Sequence, residues 1–439
     1  MNTRLLLMPV WLQRYLLATL AVIVTVLPVH AFISTWGGTT IGPMFIWKSW
    51  KELLLIPAVI VTAGWIISNR QVLALVIRDR LVQLAVLFAV IVLGYTVHGM
   101  ATNGQDATLA GVAFDLRYVV MFVLAYLLAR FSTVVTPELL QTIAKFIIGA
   151  GIVLAIVGIL QVTVIPRDFL TNFGYEKFVT IAPYLTISEK SPDIIRAFAT
   201  LRGPNDYGAY LVMSLAVTLV TIVTIRKKIA ISTLLLIAIF ASHSRSAYLA
   251  TLAVIGIWLL TTIGVERLQK YWKYGVVAVI AVGLLVSLSL ISPTARLIVF
   301  HSSDKDTRLT SGSNEDRATA IVDTTERIVD EPLGCGTGCS GPASYYGPSP
   351  QISENYYLQL AEQYGIVGLI VWLLLFVGIM RRLYGVHKSQ PLALALYMSG
   401  IGLSIIGVLL HVWADDPLSM TWWALTGILL GITIKSKLK

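Results

Sequence analysis

Charge is scarce in this chain. Asp, Glu, Lys and Arg make up 13% of its 439 residues, against 56% apolar residues and a mean hydropathy of +0.79. Soluble domains carry about 25% charged residues, so that class is excluded. Cysteine is almost missing: Cys335 and Cys339 are the two present, too few for a disulfide framework and too few alone for zinc. Alternating polar and apolar residues are also missing, which excludes a membrane β-barrel. No internal repeat and no low-complexity tail is visible.

What is present is a series of apolar runs, each near the ~20 residues a helix needs to cross ~30 Å of hydrocarbon. In lipid the backbone must satisfy its own hydrogen bonds, so the expected class is all-α, a polytopic membrane helical bundle. About twelve spans are expected, at about 15–34, 50–68, 81–98, 112–130, 138–163, 206–225, 229–242, 246–264, 274–291, 359–380, 391–410 and 417–434. The run from Tyr15 to Ser34 reads as a retained first helix rather than a signal peptide.

The formal charge of +10 would suggest nucleic acid in a soluble protein. Here sidedness accounts for it, and no nucleic-acid partner is expected. Arg70, Arg78 and Arg80, then Arg226 to Lys228, then Arg267, Lys270 and Lys273, then Arg381, Arg382 and Lys388, and finally Lys435, Lys437 and Lys439 all fall on one side. The positive-inside rule makes that side cytoplasmic, with both termini there. Two polar segments, about 164–205 and 292–358, then lie outside as a cap on a single membrane domain, 1–439. Within the second, Asn314 to Val329 reads as an amphipathic helix lying on the bundle, and Pro332 to Pro350 as loop.

The residues suited to chemistry gather in those outer segments. Arg245, in Ser242-His243-Ser244-Arg245-Ser246, runs against the inside bias; it either snorkels to anchor a hairpin or meets a partner. Arg196 and Arg202 precede Gly203-Pro204-Asn205-Asp206, a turn into a helix N-terminus, which favours anions. Arg317 opens the amphipathic helix, where a guanidinium grips phosphate bidentately or pairs with acidic neighbours. Arg308 is a weaker candidate of the same kind. Glu354, at the mouth of the tenth span, is either a base for a sugar hydroxyl or a helix N-terminal charge. Asn355 and Tyr356 beside it are accessory candidates. Tyr345, Tyr346, Tyr356, Tyr357 and Trp413 are candidates to stack on sugar faces. The glycines around Cys335 and Cys339 either offer N–H groups to an anion or simply make turns, and the two cysteines can form a disulfide. Asp304-Lys305-Asp306 is a weak divalent-cation signal, and Asp415-Asp416 reads as solvated charge or a cap for the last span.

Taken in order, the Arg196…Gly203-Pro204-Asn205…Gly208 stretch, the Ser244-Arg245-Ser246 hinge, the Ser311-Gly312-Ser313…Arg317 segment, Pro332 to Gly338, and Glu354-Asn355-Tyr356-Tyr357-Leu358…Gly365-Ile366-Val367-Gly368 resemble the O-antigen ligase and polymerase superfamily of bacterial envelopes. The resemblance covers roughly 110–430. It implies a GT-C-type glycosyltransferase of the inner membrane with its active site facing the periplasm. Its donor is an oligosaccharide on undecaprenyl pyrophosphate. Its acceptor is a second lipid-linked glycan, lipid A-core or a protein. It further implies that Arg196, Arg245 and Arg317 hold the pyrophosphate, with no metal and no cofactor. Ligases of the family carry His where this chain has Glu354, so a polymerase is the first reading and a ligase the second. A transporter or flippase ranks third, because the charges gather outside rather than at mid-membrane.

Overall fold

The computed structural model describes residues 6–188, 191–263 and 313–438. The chain enters through α1 (Val10–Val26), a 3-10 turn at Leu27–Val29, and α2 (His30–Thr40). Then come α3 (Met44–Ser68), the short α4 (Arg70–Ile77), α5 (Arg80–Thr102), α6 (Gln105–Phe131) and α7 (Pro137–Thr163). An antiparallel hairpin, β1 (Leu185–Ser188) with β2 (Ser191–Arg196), follows, pairing Leu185 with Arg196. After it come α8 (Pro204–Thr221), α9 (Ile225–Ala241) and α10 (Arg245–Ile263). Beyond the undescribed stretch lie α11 (Ser313–Asp330), α12 (Tyr356–Val386), α13 (Pro391–Gly407) and α14 (Asp416–Leu438).

Among the described residues, 8 helical segments are long and apolar enough to cross a membrane. The chain is an all-α, multi-pass membrane protein. The expected span at about 274–291 lies outside the described residues, as do Arg308, Asp304 and Asp306. Each other expected span falls on a described helix. The amphipathic helix expected over Asn314 to Val329 is α11, which rests against α12. The hairpin and α4 were not expected. Each is too short to show a period above its surroundings.

The two ends of the bundle differ. At one end Asp79 caps α5 through the N–H of Leu81 (3.0 Å) and takes an ion pair from Arg130 (2.8 Å), a longer one from Arg382 (3.5 Å) and a hydrogen bond from Tyr126. Lys435 donates to Ser132 at that same end. The other end carries the hairpin, α11 and the turns at 242–244, 353–355 and 411–415.

The core centres on α6 and α14, which lie against each other along much of their length. Gly427 of α14 faces the carbonyl of Phe122, and a Cβ there would come within 2.5 Å of that oxygen. Such close approach is how helices associate in lipid, where apolar side chains gain little from burial against one another. Around this seam Trp372, Trp413, Trp422 and Trp423 are fully buried with Tyr118 and Tyr356.

Two features correct the sequence expectations. Asp416 is neither solvated nor a simple cap: its carboxylate pairs with Lys51 at 2.7 Å and with Arg117, whose other amine partner is the Ala414 carbonyl. Four charges (Lys51, Glu52, Arg117, Asp416) thus neutralise one another inside the bundle, as burial demands. The Gly-rich segment is a loop, but a buried one wedged between α5, α6 and α12, with Cys335 and Cys339 joined as a disulfide. Its N–H groups are not offered to an anion. Cys335 and Gly336 donate to the carbonyls of Glu362 and Gln363 (2.9 and 3.1 Å), and Gly338 to the Gln363 side chain (2.7 Å). Gly365, at φ 65, breaks α12 there and frees those carbonyls, a left-handed step that suits glycine. Irregular backbone inside a membrane domain survives where protein supplies its partners.

Replacing Gly427 with Val should cost about 1–3 kcal/mol through overpacking. Thermal denaturation in detergent should show a lower midpoint for G427V and no change for G64V, since nothing lies within 4 Å of a Cβ at Gly64.

Candidate active site

At the end of the bundle opposite Asp79, the turn before α8, the turn after α13 and the segment before α12 enclose a cavity of about 390 Å³. Arg196, Arg202, Asn205, Asp206, Tyr345, Glu354, His411 and Asp415 line it.

Arg196 ends β2, and its position is set by local bonds. The N–H of Ala197 donates to the Ala241 carbonyl (2.9 Å), tying the strand end to α9. The N–H groups of Phe198 and Ala199 both donate to the side chain of buried Gln161 on α7 (3.0 and 2.9 Å). The guanidinium itself donates to the Ser242 carbonyl and to Asn205 Oδ1, each at 3.0 Å. Arg245 is the first residue of α10, on the far side of the Ser242–Ser244 turn. Gly208 allows that turn to approach α8; a Cβ there would lie 2.7 Å from Ala247 Cβ. Arg245 and Arg317 are not among the residues that line the cavity; Arg317 of α11 stands beside it, its Nε 3.5 Å from Glu354 Oε2, and both side chains of that pair remain about a third exposed.

The three arginines feel one another. The charges of Arg317 and Arg245 both bear on Arg196, and that of Arg317 bears on Arg245. Burial, more than this repulsion, brings the Arg196 guanidinium down to about 10, still charged at neutral pH. The same burial, with Arg196 nearby, lowers His243 and keeps it neutral, so the turn adds no further cation.

Across the cavity Arg202 is exposed, and its charge bears on Asp206, His411 and Asp415. Burial and the like charge of Asp206 hold the Asp415 carboxyl well above the usual carboxylate range. Burial, helped by Arg202, draws His411 down to about 4. Its Nε2 lies 3.1 Å from Ser353 Oγ.

Backbone strain collects here. Ala199 (φ 50), His243 (φ 49) and Glu354 (φ 50) are left-handed without being glycine; Ala199 lies midway between Arg196 and Arg202, His243 two residues before Arg245, and Glu354 lines the cavity itself. Conformations of this kind cost on the order of 1–3 kcal/mol and cluster at functional sites.

Several sequence candidates are placed elsewhere. Asn355 caps α12, accepting from the N–H groups of Tyr357 and Leu358 (2.9 and 3.1 Å). Tyr356 is sealed in the aromatic core with its hydroxyl 2.6 Å from that of Tyr118, and Trp413 is sealed there too. Neither faces the cavity. Tyr357 donates to the Ser404 carbonyl (3.1 Å), which leaves Tyr345 and Tyr346 as the exposed rings of that set. His411 was missed by sequence reasoning. The available signal was its place beside Asp415-Asp416, at the outer end of a span.

The family model described as O-antigen ligase matches residues 230–373, a stretch that includes Arg245, Arg317 and Glu354. An O-antigen polymerase of Salmonella muenchen is 19% identical over 301 residues, covering 66% of this chain and 74% of that protein. Residues 230–373 of this chain are thus similar to the O-antigen ligase family, and a longer stretch is distantly similar to an O-antigen polymerase. The family-model match begins after Arg196 and ends before His411, so the cavity joins residues inside and outside that match.

All cavity residues should be reached from one face of the bilayer. With the native cysteines held in their disulfide, R202C and Y345C should react with a membrane-impermeant maleimide added to one side, and K227C only when it is added to the other. Labelling of all three from one side would remove the two-ended arrangement.

Proposed function

We propose that this protein transfers a glycan from undecaprenyl pyrophosphate to a sugar hydroxyl, as a surface-polysaccharide polymerase of the bacterial inner membrane. Both termini lie in the cytoplasm and the cavity opens to the periplasm, the side assigned by the basic clusters. What carries the reading is that Arg196 and Glu354 line one cavity, with Arg317 3.5 Å from Glu354 and the charges of Arg317 and Arg245 both bearing on Arg196.

The acceptor hydroxyl oxygen attacks the anomeric carbon of the donor. The bond from that carbon to the phosphate oxygen breaks, and its electron pair leaves with the pyrophosphate. Charge growing on that leaving group is what the arginines stabilise. The hydroxyl proton passes to Glu354. Arg317 lies 3.5 Å from this carboxylate. A diphosphate offers Arg317 a partner of higher charge, and so frees Glu354 for the acceptor when the donor is in place. Tyr345, exposed at the cavity wall, is suited to a sugar face.

Transfer to lipid A-core or to a protein is the second reading, favoured by the ligase description of the family model. Purified protein given one lipid-linked oligosaccharide should produce a ladder on a gel. No product until lipid A-core is added would make it a ligase. R196A and R317A should each lower turnover about 10²–10³-fold, and E354Q about 10²–10⁴-fold, with the protein still in the membrane. Normal chain extension in R196A and R317A would remove the pyrophosphate role. Activity should survive EDTA; loss that a divalent cation restores would return Asp304 and Asp306 to consideration.

A further inference from the structure

Glu354 sits in a backbone conformation that residues with a Cβ avoid, so its neighbours must hold it there. Two of the constraints are local. Ser353 is fully buried and its hydroxyl donates to the Asn355 carbonyl at 3.1 Å, closing a short loop across Glu354. Asn355 then fixes the start of α12 through its cap. The third constraint comes from a different part of the chain. His411, in the turn after α13, meets Ser353 Oγ through Nε2 at 3.1 Å.

The hydrogen inventory sets the direction of that bond. A serine hydroxyl has one hydrogen, and Ser353 gives it to Asn355. Its oxygen is therefore the acceptor towards His411, and Nε2 carries the hydrogen. A neutral ring is consistent with this, since burial keeps His411 uncharged at neutral pH. The turn carrying His411 is itself fastened from below, where Arg117 holds the Ala414 carbonyl and the Asp416 carboxylate.

We propose that His411 is a positioning residue: by donating to Ser353 it holds the left-handed turn at Glu354 and so aims that carboxylate at the acceptor hydroxyl. This rests on the glycan-transfer reading, which gives Glu354 its role. The bond also links the α13–α14 turn to the start of α12, so the base is placed by tertiary contact rather than by its own helix.

The test uses full-length protein in lipid nanodiscs with a lipid-linked oligosaccharide as donor. H411A should lower kcat about 10- to 100-fold, the range expected when a reacting group is misplaced by about an ångström, with the donor KM within about twofold. H411Q, which keeps an N–H donor at similar reach, should recover most of the rate. S353A, which also loses the bond to the Asn355 carbonyl, should be at least as slow as H411A, and the S353A/H411A pair should be no slower than S353A alone, because the His411 bond is already gone there. In parallel, amide hydrogen exchange over 353–358 should quicken in H411A and S353A but not in H411Q. An unchanged kcat in H411A, or H411Q as slow as H411A, overturns the positioning role; the second result would make His411 a proton carrier instead. If the wild type transfers no glycan either to a second lipid-linked unit or to lipid A-core, the transfer reading fails. The exchange measurement then decides by itself whether His411 holds the turn, and unchanged exchange rejects it.

Discussion

Bringing guanidinium groups together at the rim of an apolar bundle is unfavourable, since each repels the others and each loses hydration. The local structure around the cavity is arranged to bear that cost. Arg196 is held by a carbonyl and an amide oxygen, Arg317 by the Glu354 carboxylate, and neighbouring His243 stays neutral. In the function we propose, a dianionic headgroup relieves the repulsion that remains.

Rigid support for this end of the molecule comes from below it. The buried set of Lys51, Glu52, Arg117 and Asp416 ties α3, α6 and the start of α14 together, directly beneath the turn that carries His411 and Asp415. The glycine-rich wedge does the same for α12. It borrows the carbonyls exposed by the Gly365 break and so locks the first turns of that helix against α5 and α6. Strained residues at 199, 243 and 354 can persist because the scaffold around them is fastened at several points.

Several parts of the site were legible in the sequence and several were not. Arg245 stood out because it defies the inside bias, and Arg196 because it precedes a Gly-Pro-Asn turn. The order of those motifs suggested the superfamily before any geometry. By contrast, Tyr356 looked like a sugar platform but lies in the core, because its hydroxyl finds Tyr118 and its ring finds Trp372. Asp416 looked solvated because its partners, Lys51 and Arg117, are hundreds of residues away in the chain.

Apolar run length and the placement of basic residues depend on the lipid bilayer, which acts on each segment separately. Sequence alone therefore determined the all-α membrane class, the positions of the described helices other than α4, and the segments expected to carry the chemistry. Which residues share the cavity depends on pairings between segments far apart in the chain, such as Ser353 with His411 and Arg317 with Glu354. Those pairings leave no local pattern, because a side chain's partner is chosen by packing and not by its neighbours in sequence. Only the tertiary structure decided them.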